Sequence, residues 1–408
     1  MGEKDAVVLQ ARREKGLTKF TKVSSLMRVS ILTQPLGHNY GGLLQAYALQ
    51  VYLKRIGCDV ETLDRRVPVE QVTVAKGYII NLVRFLLGRI KSIPTNRKQS
   101  FVLQNLADFR DKNLVLSKRI TSEIQLRDYF FRNKFEAVIV GSDQVWRPMY
   151  SPSILNFYLD FLNDIDSKPI RVAYAASFGV SEWEYPEDVT EKCRPLIKKF
   201  DAVSVREKSA VDLCKSKLGI TSDWVVDPTL LLDPSDYEEL IDQEAENPHK
   251  SLVLSYILDA SKDKQQIATA VAEILQTDFF HIKPEKSISE VRSNDLGQCV
   301  FPRVETWLRS FRDASFVVTD SFHGSAFAIL FNRPFVAVGN SKRGMARFES
   351  LLSMFGLEHR LVESEDDITP DLINKVIDWD KVNGLRERFA REGKLFLKNY
   401  LFSEKVNG

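Results

Sequence analysis

Short apolar, β-branched runs alternate along the chain with longer segments of helical period. VSILTQ at 29–34 reads as a strand. It precedes LLQAYALQVYLKRIG at 43–57, where Leu44, Tyr47, Ala48 and Val51 share one helical face and Gly57 supplies a stop. DVETLD (59–64), EAVIVGSD (136–143), IRVAYAAS (170–177), AVSVRE (202–207) and DWVVDP (223–228) are further strand candidates, with helical segments at 190–200 and 207–217. Beyond Asp233 the chain turns acidic and polar through Pro248, which marks a domain boundary. The alternation then restarts, with strands at 252–258, 278–282, 315–320 and 334–339. Helical segments fall at 262–275, 303–313, 322–332 and 345–355, and a terminal helix at 385–402 is marked by Phe389, Phe396 and Leu397.

Alternation of this kind builds parallel sheets with both faces covered. The pattern predicts an α/β protein of two Rossmann-like domains facing across a cleft, at residues 27–235 and 236–380. A polar, basic stretch at 1–26 precedes them and is expected to be a flexible extension, with an amphipathic helix as the competing reading. A helical tail at 381–408 follows, free to pack back on the first domain. Ligands of open α/β sheets bind beyond the carboxyl ends of the strands, so chemistry is expected in the cleft.

One segment departs from the alternation. From Gln71 to Ala107 there is no acidic residue. Within it, a basic amphipathic segment at 76–98 carries Ile79, Ile80, Leu82, Val83, Phe85, Leu86, Leu87 and Ile90 among Arg84, Arg89, Lys91, Arg97 and Lys98. It reads as a helix packed on the body with its cations solvated, as a helix lying on an anionic membrane, or as the occupant of a partner's groove.

Composition narrows the function classes. A net charge of +2 over 408 residues gives no global field for nucleic acid. The four cysteines are scattered and never form CxxC, and histidine is sparse at five. Neither a zinc cluster nor a disulfide framework is suggested, and a cytoplasmic setting is the natural expectation. No run is long and apolar enough to span a membrane.

Several strand-to-helix loops carry chemistry-bearing residues. VVTDSFHGSAFAI at 317–329 reads as a strand, a turn and a helix. Free N–H groups at such a helix mouth attract anions, and His323 stands there to give a hydrogen bond or a proton. Ser321 or Asp320 is placed to cap the helix, and Gly324 is placed to let a ligand approach the backbone. The glycine-rich loop 34–42 brings His38 and Asn39 to the mouth of the first sheet, without a G-x-G-x-x-G or Walker A pattern. After EAVIV, the loop carrying Asp143, Gln144, Trp146 and Arg147 suits a sugar: carboxylate and amide bond hydroxyls while an indole stacks on the pyranose face. The other reading makes Trp146 a partly buried anchor. Arg206 in VSVREK is placed either to clamp a phosphate or carboxylate or to form a surface pair with Glu207. Lys342, Arg343 and Arg347 put three cations at a strand-to-helix junction of the second unit.

In this order, HNYGGLLQAYALQ, VIVGSDQVW, VAYAASFG, SVREK, VVDPTLLL and TDSFHGSAFAILFNRPFVAV resemble the polysaccharide pyruvyl transferase family, from about Val29 to about Leu361. The resemblance implies a glycosyltransferase-B fold. It also implies transfer of a pyruvyl group from phosphoenolpyruvate to a sugar of a surface polysaccharide or its lipid-linked precursor, closing a cyclic ketal. No cofactor or metal is implied, and phosphoenolpyruvate is the donor substrate. With the cysteine pattern and the basic segment at 76–98, the expected setting is cytoplasmic, with docking on the inner membrane face where the acceptor is lipid-linked. By position, Arg206 and His323 match the family's donor-binding arginine and histidine. Many members place an arginine two residues before that histidine, where this chain has Ser321. Lys342, Arg343 or Arg347 would then supply the missing cation. His323 is the expected general acid and Asp143 the expected base or acceptor ligand, with His38, Asn39, Gln144 and Trp146 on the acceptor side. Two other classes remain open. One is a nucleotide-sugar glycosyltransferase, although no glutamate falls between Glu305 and Glu349, where the E-x7-E motif of many retaining members would lie. The other is a non-catalytic anion-binding or scaffold protein, which the serine at 321 keeps open.

Overall fold

The computed structural model describes residues 26–402, apart from 38, 67–70, 152, 166–167, 242–246, 260 and 340–343. Two parallel sheets dominate it. The first contains β1 (Met27–Leu32), β2 (Cys58–Thr62), β3 (Ala137–Val140), β4 (Ile170–Ala176), β5 (Ala202–Val205) and β6 (Asp223–Trp224), in the order β2-β1-β3-β4-β5-β6. The second contains β7 (Val253–Tyr256), β8 (Phe279–His281), β9 (Phe316–Thr319), β10 (Phe335–Val338) and β11 (Leu361–Val362), in the order β11-β10-β9-β7-β8. Both follow one scheme: the first strand of each domain lies inside the second, and the order then reverses towards the later strands. The reversal falls between β1 and β3 in one domain and between β7 and β9 in the other. Those are the switch points at which open α/β sheets hold ligands.

The central strands read as uninterrupted apolar runs because helices cover both faces. All four residues of β3, β5, β7, β9 and β10 are buried. Helix α1 (Tyr40–Arg55) follows β1, with Asn39 as its N-cap accepting from Gly41 N at 3.0 Å. Buried Gln45 of α1 stitches the switch point: its Nε2 donates to Thr33 Oγ1 at 2.9 Å and its Oε1 accepts from Ser142 N at 3.1 Å.

The expected basic segment is not one continuous helix. Helix α2 runs Gln71–Leu86, turns occupy the residues that follow, and a short helix forms at Asn96–Val102. The reading that packs this segment on the body fails for the helix, though it holds for the chain around Ile90 and Ser92. Tyr78, Ile79, Ile80, Leu82, Val83, Phe85, Leu86 and Leu87 are all exposed, and Ile90 alone of the apolar residues named above turns inward. The helices at Gln104–Asn113 and Glu123–Asn133, unremarked in the sequence pattern, complete the excursion before β3.

In the second domain, helix α3 (Val304–Asp313) leads into β9, α4 (Phe322–Leu330) leaves it, and α5 (Ala346–Phe355) follows β10. All nine residues of α4 are buried, so it reads as a core helix with no solvent face. Helix α6 (Trp379–Phe402) crosses back to the first domain. There Tyr52 Oη donates to Lys394 O at 2.9 Å, Phe396 packs against Tyr174, and Phe389 against Trp224.

Candidate active site

Loops at the carboxyl ends of the strands of both sheets meet between the domains. From the first domain, Arg206 follows β5 and Asp227 follows β6 by three residues. Arg206 Nη1 donates to Asp227 Oδ2 at 2.7 Å; Nη2 lies 3.5 Å from Asp143 Oδ1 and Nε 3.6 Å from Glu207 Oε1. From the second domain, Phe322 and His323 open α4. The Phe322 ring lies under the Arg206 guanidinium, 4.2 Å from its centroid, and His323 Nε2 lies 3.6 Å from the same Asp227 oxygen. That separation is an ion-pair distance, too long for a hydrogen bond. The Asp227 carboxylate thus bridges an arginine of one domain and a histidine of the other. Its second oxygen, Oδ1, accepts from Thr229 N and Oγ1 at 3.0 and 2.8 Å, which fixes its plane.

The two domains touch closely here. A Cβ on Gly41 would be driven into the His323 ring, so only glycine at the start of α1 leaves room for that imidazole. Gly344, at φ 96°, lies against the backbone carbonyl of Gly179, another contact that a side chain would block. Lys208 N donates to Ser350 Oγ at 3.0 Å. Tyr40 stacks on Trp307 with centroids 5.5 Å apart and donates from its hydroxyl to Pro302 O at 2.7 Å.

Burial sets the electrostatics. Arg347, at the start of α5, is pushed down to about 10 by burial and by Arg206 beside it. Burial also raises Glu207, against the pull of Arg206 and a hydrogen bond from Ser177. Burial would raise Asp227 too, but His323 and Arg206 outweigh it and hold the carboxyl well below its ordinary range. Arg147 is held bidentately by Glu184, with both contacts at 3.1 Å, and its charge reaches Arg347. Three arginines, a histidine and buried carboxylates therefore share one water-poor volume.

The sequence-predicted residues divide. Arg206, His323, Asp143 and Arg347 come together. Asn39 is exposed at the mouth with its Oδ1 engaged as a cap, and Gln144, half-buried, accepts from Arg147 through Oε1 at 3.3 Å. His38, Lys342 and Arg343 lie outside the described residues. Trp146 corrects an expectation: its indole is fully buried, stacks on Tyr158 and donates from Nε1 to Phe157 O at 3.0 Å. No face is left for a sugar, because the side chain points under the loop instead of out of it. Gly324 is corrected as well. Its N–H donates to Ser321 Oγ at 3.2 Å, and the Thr319 side chain fills the space a Cβ would take, so neither its N–H nor that space is open to a ligand. Ser321 is the helix cap. Asp320 instead accepts from Leu258 N at 2.6 Å, Asp259 N at 3.1 Å and Lys264 Nζ at 2.7 Å, holding the loop after β7. The expectation of an exposed Arg206–Glu207 pair fails because both side chains are 1% exposed.

Sequence reasoning did not single out Asp227 or Phe322, and it named Glu207 only as a surface partner of Arg206. For Asp227 the signal was available: an acid at the end of an apolar run, immediately before Pro-Thr, marks a capping carboxylate at a strand's carboxyl end.

Two parallel α/β domains with their switch points opposed define a protein of the glycosyltransferase-B fold. Solved structures agree on the fold. A putative UDP-N-acetylglucosamine 2-epimerase from Listeria monocytogenes superposes with a TM-score of 0.54 at 10% identity, covering 93% of this chain and 98% of its own. The UDP-GlcNAc 2-epimerase from Neisseria meningitidis, bound to UDP-GlcNAc, gives 0.52 at 9%, over 93% and 100%. A UDP-glucosyltransferase from Polygonum tinctorium gives 0.50 at 11%, over 93% and 100%. No curated protein matches the chain. The sequence model of the polysaccharide pyruvyl transferase family matches residues 39–342, and the chain belongs to that family.

Proposed function

We propose that the protein moves a pyruvyl group from phosphoenolpyruvate onto two hydroxyls of a sugar in a surface polysaccharide or its lipid-linked precursor. The observation that carries this reading is the Asp227 carboxylate that joins Arg206 of one domain to His323 of the other. It supports a donor site where two domains must close together to complete the catalytic group.

Phosphoenolpyruvate brings a phosphate and a carboxylate, and it needs cations in a place that excludes water. Arg206 and Arg347 suit those anions. An anion between them would offset both the burial and the mutual repulsion that push Arg347 down. Arg347 is then the described candidate for the cation absent at Ser321. His323 is the proposed proton source for the methylene carbon, and Asp227 orients it. Protonation makes C2 electrophilic, a sugar hydroxyl adds there as its proton passes to a base, and inorganic phosphate leaves with the C2–O bonding pair. The neighbouring hydroxyl then adds to C2 and loses its proton, closing the ketal. Asp143 is the proposed base or acceptor ligand. At 6% exposure for His323 and 8% for Arg347, the donor reaches them only when the domains part.

Thermal shifts with phosphoenolpyruvate and with a panel of UDP-sugars test the donor, since a ligand that binds the fold raises its melting temperature. Stabilisation by phosphoenolpyruvate alone is expected; stabilisation by a UDP-sugar alone overturns the reading. With a competent acceptor, His323→Ala should lower phosphate release about 10²-fold or more while its melting temperature stays near the parent's. Full activity in that variant removes His323 from the chemistry.

A further inference from the structure

Helix α2 turns its apolar side outward. At 100° per residue, Tyr78, Ile79, Ile80, Leu82, Val83, Phe85 and Leu86 spread over one broad arc, and exposed Leu87 follows at the helix end. The remaining narrow strip carries Gly77, Asn81 and Arg84. Gly77 and Asn81 are half-buried, whereas Leu86 is 75% and Leu87 62% exposed. A helix that served the core would be oriented the other way round. Patches of this kind mark interaction surfaces.

Charge indicates what covers it. Lys76 and Arg84 on the helix, and Arg89 and Arg97 in the chain just after it, are all exposed, and no acidic residue occurs between Gln71 and Ala107. Among the described residues, no carboxylate is ion-paired with any of these four. A second copy docking through the same helix would bring like charges together with no acid to offset them. An anionic lipid surface supplies both an apolar phase and the opposite charge. With 16 residues the helix is about 24 Å long, short of the ~30 Å hydrocarbon core, and it has Asn81 and Arg84 within it. It therefore lies along the interface rather than across it.

We infer that α2 is a membrane-docking element that seats its Tyr78–Leu87 face in the headgroup region of an anionic bilayer. Its anchorage fits that role. The segment after it reaches the second domain, where Lys91 N donates to Ser289 O at 2.7 Å and Asn105 Nδ2 to Phe301 O at 2.8 Å. Val102 packs there with Ile288, Val291 and Cys299. Docking through α2 thus holds a segment that touches both sides of the interdomain cleft. The inference rests on the helix alone and does not depend on which donor the cleft takes.

The test is co-sedimentation of the full chain with vesicles of phosphatidylcholine, and of phosphatidylcholine containing about one third phosphatidylglycerol. Binding to the anionic vesicles is expected, weaker on neutral ones and weakened by added salt. Removing a cation should cost roughly fivefold in partitioning. Arg84→Glu with Arg89→Glu should therefore cost at least ~20-fold, and Leu82→Ser with Leu86→Ser should abolish binding. All four side chains are exposed, so unchanged thermal melts are expected for both variants. Absence of binding to anionic vesicles overturns the inference, as does binding indifferent to both variants. A dimer in light scattering that the serine variant splits, without vesicle binding, assigns the face to a second copy and likewise overturns it. Donor thermal shifts read separately from sedimentation, so this inference and the pyruvyl-transfer reading fail independently.

Discussion

Asp227 ties the site together at the residue scale. Its Oδ2 meets Arg206 Nη1 at 2.7 Å, Ser142 Oγ at 3.2 Å and His323 Nε2 at 3.6 Å. Its carboxyl is held well below the ordinary range, because His323 and Arg206 outweigh the burial that would raise it. The sign of the consequence follows from linkage. An acid depressed in the fold contributes stability that is fully present above its unfolded value, about pH 4, and is lost as pH falls towards the folded value. Urea midpoints measured between about pH 5 and pH 2 should therefore fall in the parent. In Asp227→Asn they should start lower and fall less steeply. An equally steep fall in the variant would assign the acid sensitivity to other carboxylates. Arg206 and His323 were legible in the sequence because a charged residue at a strand's end is a local signal. Asp227 carried the same local signal and so could be read as a capping carboxylate, but its role in joining partners from two domains could not. Trp146 misled for the opposite reason: the loop position was read correctly, but sequence does not say whether a side chain points out of a loop or beneath it.

At the scale of elements, ten of the eleven strands followed from apolar runs, although the run at 223–228 shrinks to Asp223–Trp224; the two-residue edge strand Leu361–Val362 was missed because so short a pair makes no run. The helices between Asn96 and Asn133 were less legible, since their apolar marks are few and their polar residues many. The orientation of α2 was not legible at all. Periodicity shows that a helix has an apolar side; only the surrounding structure shows which way that side faces. Close packing between α1 and α4 gives the element-scale prediction. Gly41→Ala places a methyl group in the His323 ring, so the ring or the helix must shift. Overpacking of this kind costs about 1–3 kcal/mol. Displacing His323, the proposed proton source, should also lower kcat well beyond what the stability loss explains. Steady-state kinetics beside a urea titration separates the two, and an unchanged kcat would show that the ring position is not critical.

At the scale of the molecule, the contact between Gly344 and the Gly179 carbonyl is a gauge of closure. A side chain at 344 has no room while the domains remain together, and φ 96° adds strain for any other residue. Gly344→Ala should therefore open the cleft, raising the radius of gyration by small-angle scattering and weakening donor stabilisation. An unchanged scattering profile would mean that the loop yields instead. The two-domain plan was readable because each half repeats the same alternation. Which loops meet across the cleft was not, since no local pattern records the angle between domains.

The return of α6 to the first domain has a mechanical consequence. The chain passes between the domains twice, once between Glu238 and Val253 and again between Asn374 and Trp379. The second domain is thus an insertion carried by two strands of backbone, with chain on either side of it belonging to the first. A body held at two points keeps chiefly one freedom, rotation about the line that joins them. A hinge motion of the cleft is accordingly expected to turn about that line and to return His323 to the same place beside Asp227, without a search in translation.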